Sequence, residues 1–279
     1  MENRQELYQR KTYTMPIPFL FNTYIREYDI SKANINILLS KGIIDRTMYD
    51  KLYQSPRDVR QYTIGMLLRQ NEKYKEILED GFCEYRKLFI ESNSLEEKDI
   101  LSIKNDAFFI INKIPKNRIF GNIEFRESSV FTSYMSLNNN RLELYYKPSK
   151  IGEDSFVEVK GISDKKIIYH RDYMVDFILY IFDMLENGDL KSLITSFETF
   201  YHQYINRQLD VRFYREFNTD SEYAAQFIIN GNIQRRNYNS DEMALQSLPY
   251  LDITYNMYLL REMFKYISSL YFNNKATRR

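Results

Sequence analysis

The 279-residue chain has one cysteine, Cys83, no tryptophan, two histidines and only 8 glycines. A lone cysteine excludes an internal disulfide and leaves no thiolate set for zinc, which fits a reducing compartment. His170 and His202 fall in different expected elements, so neither a histidine metal centre nor a Ser-His-Asp arrangement forms from them. So few glycines leave no glycine-rich phosphate loop. The charge lacks a dominant sign: 39 Lys and Arg against 38 Asp and Glu give +1, so any grip on nucleic acid must come from local patches. The longest apolar runs, "AFFII" and "DFILYIF", fall far short of the ~20 residues that cross a bilayer, and "MENRQELYQRK" has no signal-peptide character. The expectation is a cytoplasmic protein with no membrane partner.

What is abundant is core-forming material. Hydrophobic residues make up 44% of the chain, with 25 Tyr and 19 Phe, in the manner of an AT-rich coding sequence. Residues 19–30, "FLFNTYIREYDI", read as a strand, and 31–40 as a helix closed by Lys41-Gly42. After Ser55-Pro56 the apolar spacing predicts one helix of about thirty residues with a break near Gly81. "ILSIKNDAFFIINKI" reads as a hairpin with Lys104, Asn105 and Asp106 at its tip, followed by a β-rich stretch through "SFVEVKGI". From about Asp164 the pattern turns helical, with segments at 171–188, 190–209 and 253–272. The expected fold is α+β, with a mixed body over 1–163 and a mostly helical remainder over 164–279.

Asp29 closes a strand and Asp106 sits at a hairpin tip, so in one sheet the two carboxylates can face each other. Hard oxygen ligands of this kind suit Mg²⁺, with Mn²⁺ as a substitute. Taken without context, the same two residues read more readily as a helix cap and a turn former.

Around them the sequence resembles the DNA polymerases with a palm domain. "YDISKANINIL" looks like their motif A, "ILSIKNDAFFII" like motif C, and between them "RDVRQYTIG" like the motif B helix. Motif B fits in two registers: Arg57, Gln61 and Gly65 on "KxxxNSxYG", or Arg60, Ile64 and Gly65 on "KxxxFG". "RLELYYKP" and "VEVKGISDKKIIYHRDY" are similar to the family B passage from palm to thumb. The resemblance covers roughly residues 20 to 180 and implies an antiparallel-sheet palm-like body followed by a thumb-like helical domain. It implies Asp29 and Asp106 as catalytic metal ligands and Arg57, Arg60, Gln61 and Asn34 at the nucleotide. It also implies contact of Lys160, Lys165, Lys166, Tyr169 and Arg171 with primer-template DNA. The sequence departs from the pattern at Lys104, where family B has the first Asp of "DTD", at Ala107, and at Asn34, where family B has an aromatic; fingers are minimal and no exonuclease domain precedes the palm.

Three readings stay open: a template-directed polymerase, alone or with a second polymerase subunit; a catalytically degenerate nucleic-acid-binding or protein-interaction relative; and a helical interaction protein. "QRRNY", with Arg235, Arg236 and Tyr238, is a further basic-aromatic cluster, read equally as a solvated face. Tyr255, Tyr258, Phe264 and Tyr266 read as core.

Overall fold

The computed structural model describes residues 6–137, 142–149, 154–161, 176–206 and 208, together with two strands at 224–229 and 232–237. The fold is α+β, and the chain divides into two compact units, Met1–Pro16 with Thr23–Phe131, and Ile17–Asn22 with Thr132–Arg279. The division thus falls at 131/132, ahead of the 163 expected from the sequence. The physical reason is that the later strands build a sheet of their own.

In the first unit six strands pair antiparallel throughout. They are β1 (Thr12–Thr14), β3 (Ile25–Ile30), β4 (Ile100–Lys104), β5 (Ala107–Ile110), β6 (Ile119–Phe120) and β7 (Ile123–Phe131). Their order is β1-β4-β5-β3-β7-β6, which puts β3 between β5 and β7. Four helices accompany them: α1 (Ala33–Ser40), α2 (Arg46–Gln54), α3 (Arg57–Gln70) and α4 (Glu72–Ser92).

One face of this sheet supplies Tyr28, Ile30, Phe108, Ile110, Ile123 and Phe125 to a core that the helices complete. Its centre is Phe89 of α4, fully buried, with ring centroids 4.2 Å from Phe125, 5.1 Å from Phe108 and 5.9 Å from Tyr28. Because strand side chains alternate, Asp29, between Tyr28 and Ile30, belongs to the other face.

The expected long helix is two helices. The break lies at Asn71, whose side chain accepts the Lys73 N–H at 3.1 Å and caps α4, and not at Gly81. Gly81 sits inside α4 because α1 runs close against it: a Cβ there would collide with Cγ2 of fully buried Ile37. Gly81→Ala should therefore cost about 1 to 2 kcal/mol net, overpacking outweighing the ~1 kcal/mol helix-propensity gain. Urea denaturation checks this, and adding Ile37→Ala should give a loss smaller than the sum of the single losses.

The strand expected at 19–30 is also two. Its first part, β2 (Phe19–Leu20), joins the second unit, after which Asn22 takes a left-handed φ of 51° and the chain returns to β3. The second unit's sheet, ordered β10-β9-β8-β2, contains β8 (Ser133–Leu137), β9 (Leu142–Lys147) and β10 (Phe156–Lys160). The helices α5 (Asp176–Glu186) and α6 (Leu190–Ile205) pack on it through Ile178, Ile181, Phe182, Leu193 and Phe197. Tyr146 stacks on Phe182 at 5.2 Å, and Thr132 Oγ1 donates to Glu186 at 2.7 Å. The remainder, expected to be mostly helical, also contains two strands, β11 (Ala224–Ile229) and β12 (Asn232–Asn237), which pair antiparallel. The helix expected at 253–272, with Tyr255, Tyr258, Phe264 and Tyr266, lies outside the described residues.

Candidate active site

Asp29 is the penultimate residue of β3, in register with Ala107 on β5 and Arg126 on β7. Cross-strand partners share a face, so Arg126 stands beside Asp29. Its Nε donates to Glu124 at 2.9 Å; that bond, with Glu124's charge and the field of Asp29, holds the guanidinium above its ordinary range.

Asp106 lies in the two-residue connection between β4 and β5, closed by the pair Lys104–Ala107. Asn105 takes the left-handed conformation at φ 55°, which asparagine tolerates better than most residues. Its N–H donates to the Lys11 carbonyl at 2.8 Å, and the Asp106 carbonyl accepts the Ile30 N–H at 3.3 Å. The two aspartates thus sit half-buried at the same end of neighbouring antiparallel strands.

Both line a cleft of about 310 Å³, and Asn34, Arg57, Arg60 and Gln61 line it with them. Asn34 comes from the first turn of α1. Arg57, Arg60, Gln61 and Ile64 form an i, i+3, i+4, i+7 row on α3 that lines the cleft, and the two motif B registers draw Arg57 with Gln61, or Arg60 with Ile64, from this one row; Gly65, common to both, is not among the lining residues. Arg60 is steadied by donating from Nη1 to the Ser55 carbonyl at 3.2 Å. The cleft therefore has carboxylates on its strand side and guanidiniums at the start of a helix, a polarity suited to a cation and an anion bound together.

Sequence reasoning missed three residues here. Lys32, which also lines the cleft, caps α1 at a left-handed φ of 49°, a conformation costly for a residue with a Cβ. Its Nζ donates to the Tyr53 carbonyl at 2.8 Å and lies 3.1 Å from that ring's centroid. Arg126 was missed because only strand register brings it to Asp29. Arg86 of α4 was missed because it acts from beneath: it is 3% exposed, its Nη1 donates to the Asn105 carbonyl at 3.1 Å and its Nε to the Tyr8 carbonyl at 2.9 Å. Burial pushes this guanidinium down from its ordinary range, with Cys83 acting against the shift.

Lys104, at the departure from the family B motif, donates from Nζ to Thr14 Oγ1 on β1 at 3.2 Å. Among the residues expected at DNA, Lys160 belongs to the second unit, at the end of β10, in register with buried Glu143 and ion-paired to Glu158. Lys165, Lys166, Tyr169 and Arg171 lie outside the described residues, as does His170. Arg235 and Arg236 lie on β12, and Tyr238 is outside. His202 is exposed on α6. No described helix is long and apolar enough to cross a membrane.

Comparison with known proteins places residues 1–269 on a family model described as Bacteriophage PBS1 gene 130 protein. The chain belongs to that family. A viral relative, Uncharacterized protein ORF1 of Spiroplasma virus SpV1-C74, is 28% identical over a 211-residue match that covers 62% of this chain and 28% of the viral protein. The chain thus spans little more than a quarter of the length of that relative. Both resemblances are viral.

Proposed function

We propose that this protein is a palm-type nucleotidyltransferase that extends a nucleic-acid primer in the cleft bounded by Asp29 and Asp106. The observation that carries the reading is convergence: three segments far apart in sequence bring Asp29, Asn34, Arg57, Arg60, Gln61 and Asp106 onto one cleft. Among the described residues no cluster of three or more His, Cys, Asp and Glu is arranged for a metal. Two carboxylates nevertheless fit Mg²⁺, which keeps several water or phosphate oxygens among its six ligands.

When bound by Asp29 and Asp106, Mg²⁺ would supply activation of the primer 3′-hydroxyl and neutralise charge on the departing pyrophosphate. Arg57 and Arg60 draw in the triphosphate and hold its negative charge at the helix start. Asn34 and Gln61, neutral donors and acceptors on the cleft wall, orient the nucleotide. Arg57→Ala should raise KM for the nucleotide about tenfold with a smaller change in kcat, since a contact made in ground and transition states alike is uniform binding. Steady-state extension over a range of nucleotide concentrations measures the split.

A second reading, nucleic-acid or partner binding without catalysis, is favoured by Ala107, which stands directly opposite Asp29 without a third carboxylate. One experiment separates the two. Purified protein is offered primer-template DNA with Mg²⁺ or Mn²⁺, and its thermal stability is followed with each ion. Extension supports the enzyme; no extension and no stabilisation by either ion supports the non-catalytic relative.

A further inference from the structure

Arg86 is a buried cation, and among the described residues no carboxylate pairs with it; two main-chain carbonyls, Tyr8 and Asn105, take its hydrogen bonds. A buried guanidinium is costly, and at an interior helix position an apolar side chain would pack without that cost. The geometry of its contacts gives it a task. Asn105 is the left-handed residue immediately before Asp106, and its N–H is already fixed to the Lys11 carbonyl at 2.8 Å. Arg86 fixes the carbonyl on the other side of the same residue, and through Tyr8 it ties that carbonyl to the N-terminal segment that also supplies Lys11. The turn is thereby clamped at both of Asn105's main-chain polar groups. A planar guanidinium can bridge two carbonyls in a fixed fork, which an ammonium on a flexible stem cannot.

We propose that Arg86 is the positioning residue of the cleft, setting the Asn105–Asp106 turn so that Asp106 is presented beside Asp29. The functional part of this inference rests on the nucleotidyl-transfer reading; the mechanical part rests on the hydrogen bonds alone.

The test uses the full chain with Arg86→Met and Arg86→Lys. Amide hydrogen exchange is read at Asn105 and Asp106 against the β3 amides, and Mn²⁺ affinity by titration. Arg86→Met should speed exchange at Asn105 about tenfold while β3 stays protected, and should weaken Mn²⁺ binding about ten- to a hundredfold, the range for residues that orient a ligand. Arg86→Lys should fall between wild type and Arg86→Met in both readings, and it carries the test if Arg86→Met does not fold. Asp29→Asn should weaken Mn²⁺ binding without altering exchange at Asn105. Unchanged exchange at Asn105 in both Arg86 variants would overturn the proposal. A wild-type protein that binds no Mn²⁺ would instead sink the nucleotidyl-transfer reading, and the exchange comparison would still decide whether Arg86 sets the turn.

Discussion

Asp29→Asn is expected to reduce primer extension about a thousandfold or more, ~4 kcal/mol of transition-state stabilisation, while DNA affinity changes less than about threefold. The substitution keeps the side chain's size and half-buried place at the end of β3, so the sheet register with Ala107 and Arg126 should survive. What goes is the negative charge that a metal needs, and Arg126 loses a neighbour whose field it feels. Asp106→Asn should behave alike, and the double variant should lose little more than either alone, because the two residues serve one site and their effects do not add. Extension assays and filter binding on the same preparations give both numbers. Unchanged extension in Asp29→Asn would remove the assignment of this cleft to catalysis.

Phe89→Ala should lower folding stability by about 3 to 5 kcal/mol, the cost of removing a large aromatic from a packed core. The site should go with it. Phe89 touches Tyr28, Phe108 and Phe125, residues next to Asp29, Ala107 and Arg126 along their strands, so the ring fills the space beneath the three strands that carry the acidic side of the cleft. Phe89→Leu, which leaves less of a cavity, should cost roughly half as much and keep metal binding. Urea titration of both variants, followed by metal titration of whichever remains folded, checks the coupling.

Much of the cleft was legible in the sequence because its signals are local. A strand ending in Asp29, a helix starting three or four residues later, and a polar pair between two apolar runs all depend on neighbours a few residues apart. Which sheet a strand joins does not: Phe19–Leu20 has the same β-prone character as Ile25–Ile30, and only the pairing with Met135 and Tyr134 assigns it elsewhere. The misplaced helix break has a similar origin. A glycine inside a helix signals a break or a close neighbour, and only the approach of Ile37 shows that Gly81 is the second kind. Asn71 carried a local signal, an N-cap asparagine, outweighed by the apolar periodicity running through it. Arg86 gave none, since a basic residue on a charged helix reads as solvent-facing until the turn it holds is seen.

The placement of β2 has a consequence for how the molecule can be cut and how it is made. The chain passes between the two units at 16/17, 22/23 and 131/132, so no single break separates them. A fragment ending at Phe131 would carry Phe19–Leu20 as a bare hydrophobic edge, and one beginning at Thr132 would leave β8 without its outer neighbour. On the ribosome β2 emerges long before β8, and at roughly 5 to 20 residues per second it waits for seconds before its partner exists. Closing so long a loop costs little more than closing a shorter one, because the entropy grows only with the logarithm of its length. The penalty is therefore one of timing: β2 is a clasp that fastens late, and its unpaired edge is where a nascent chain would be caught by a protease or a neighbouring chain.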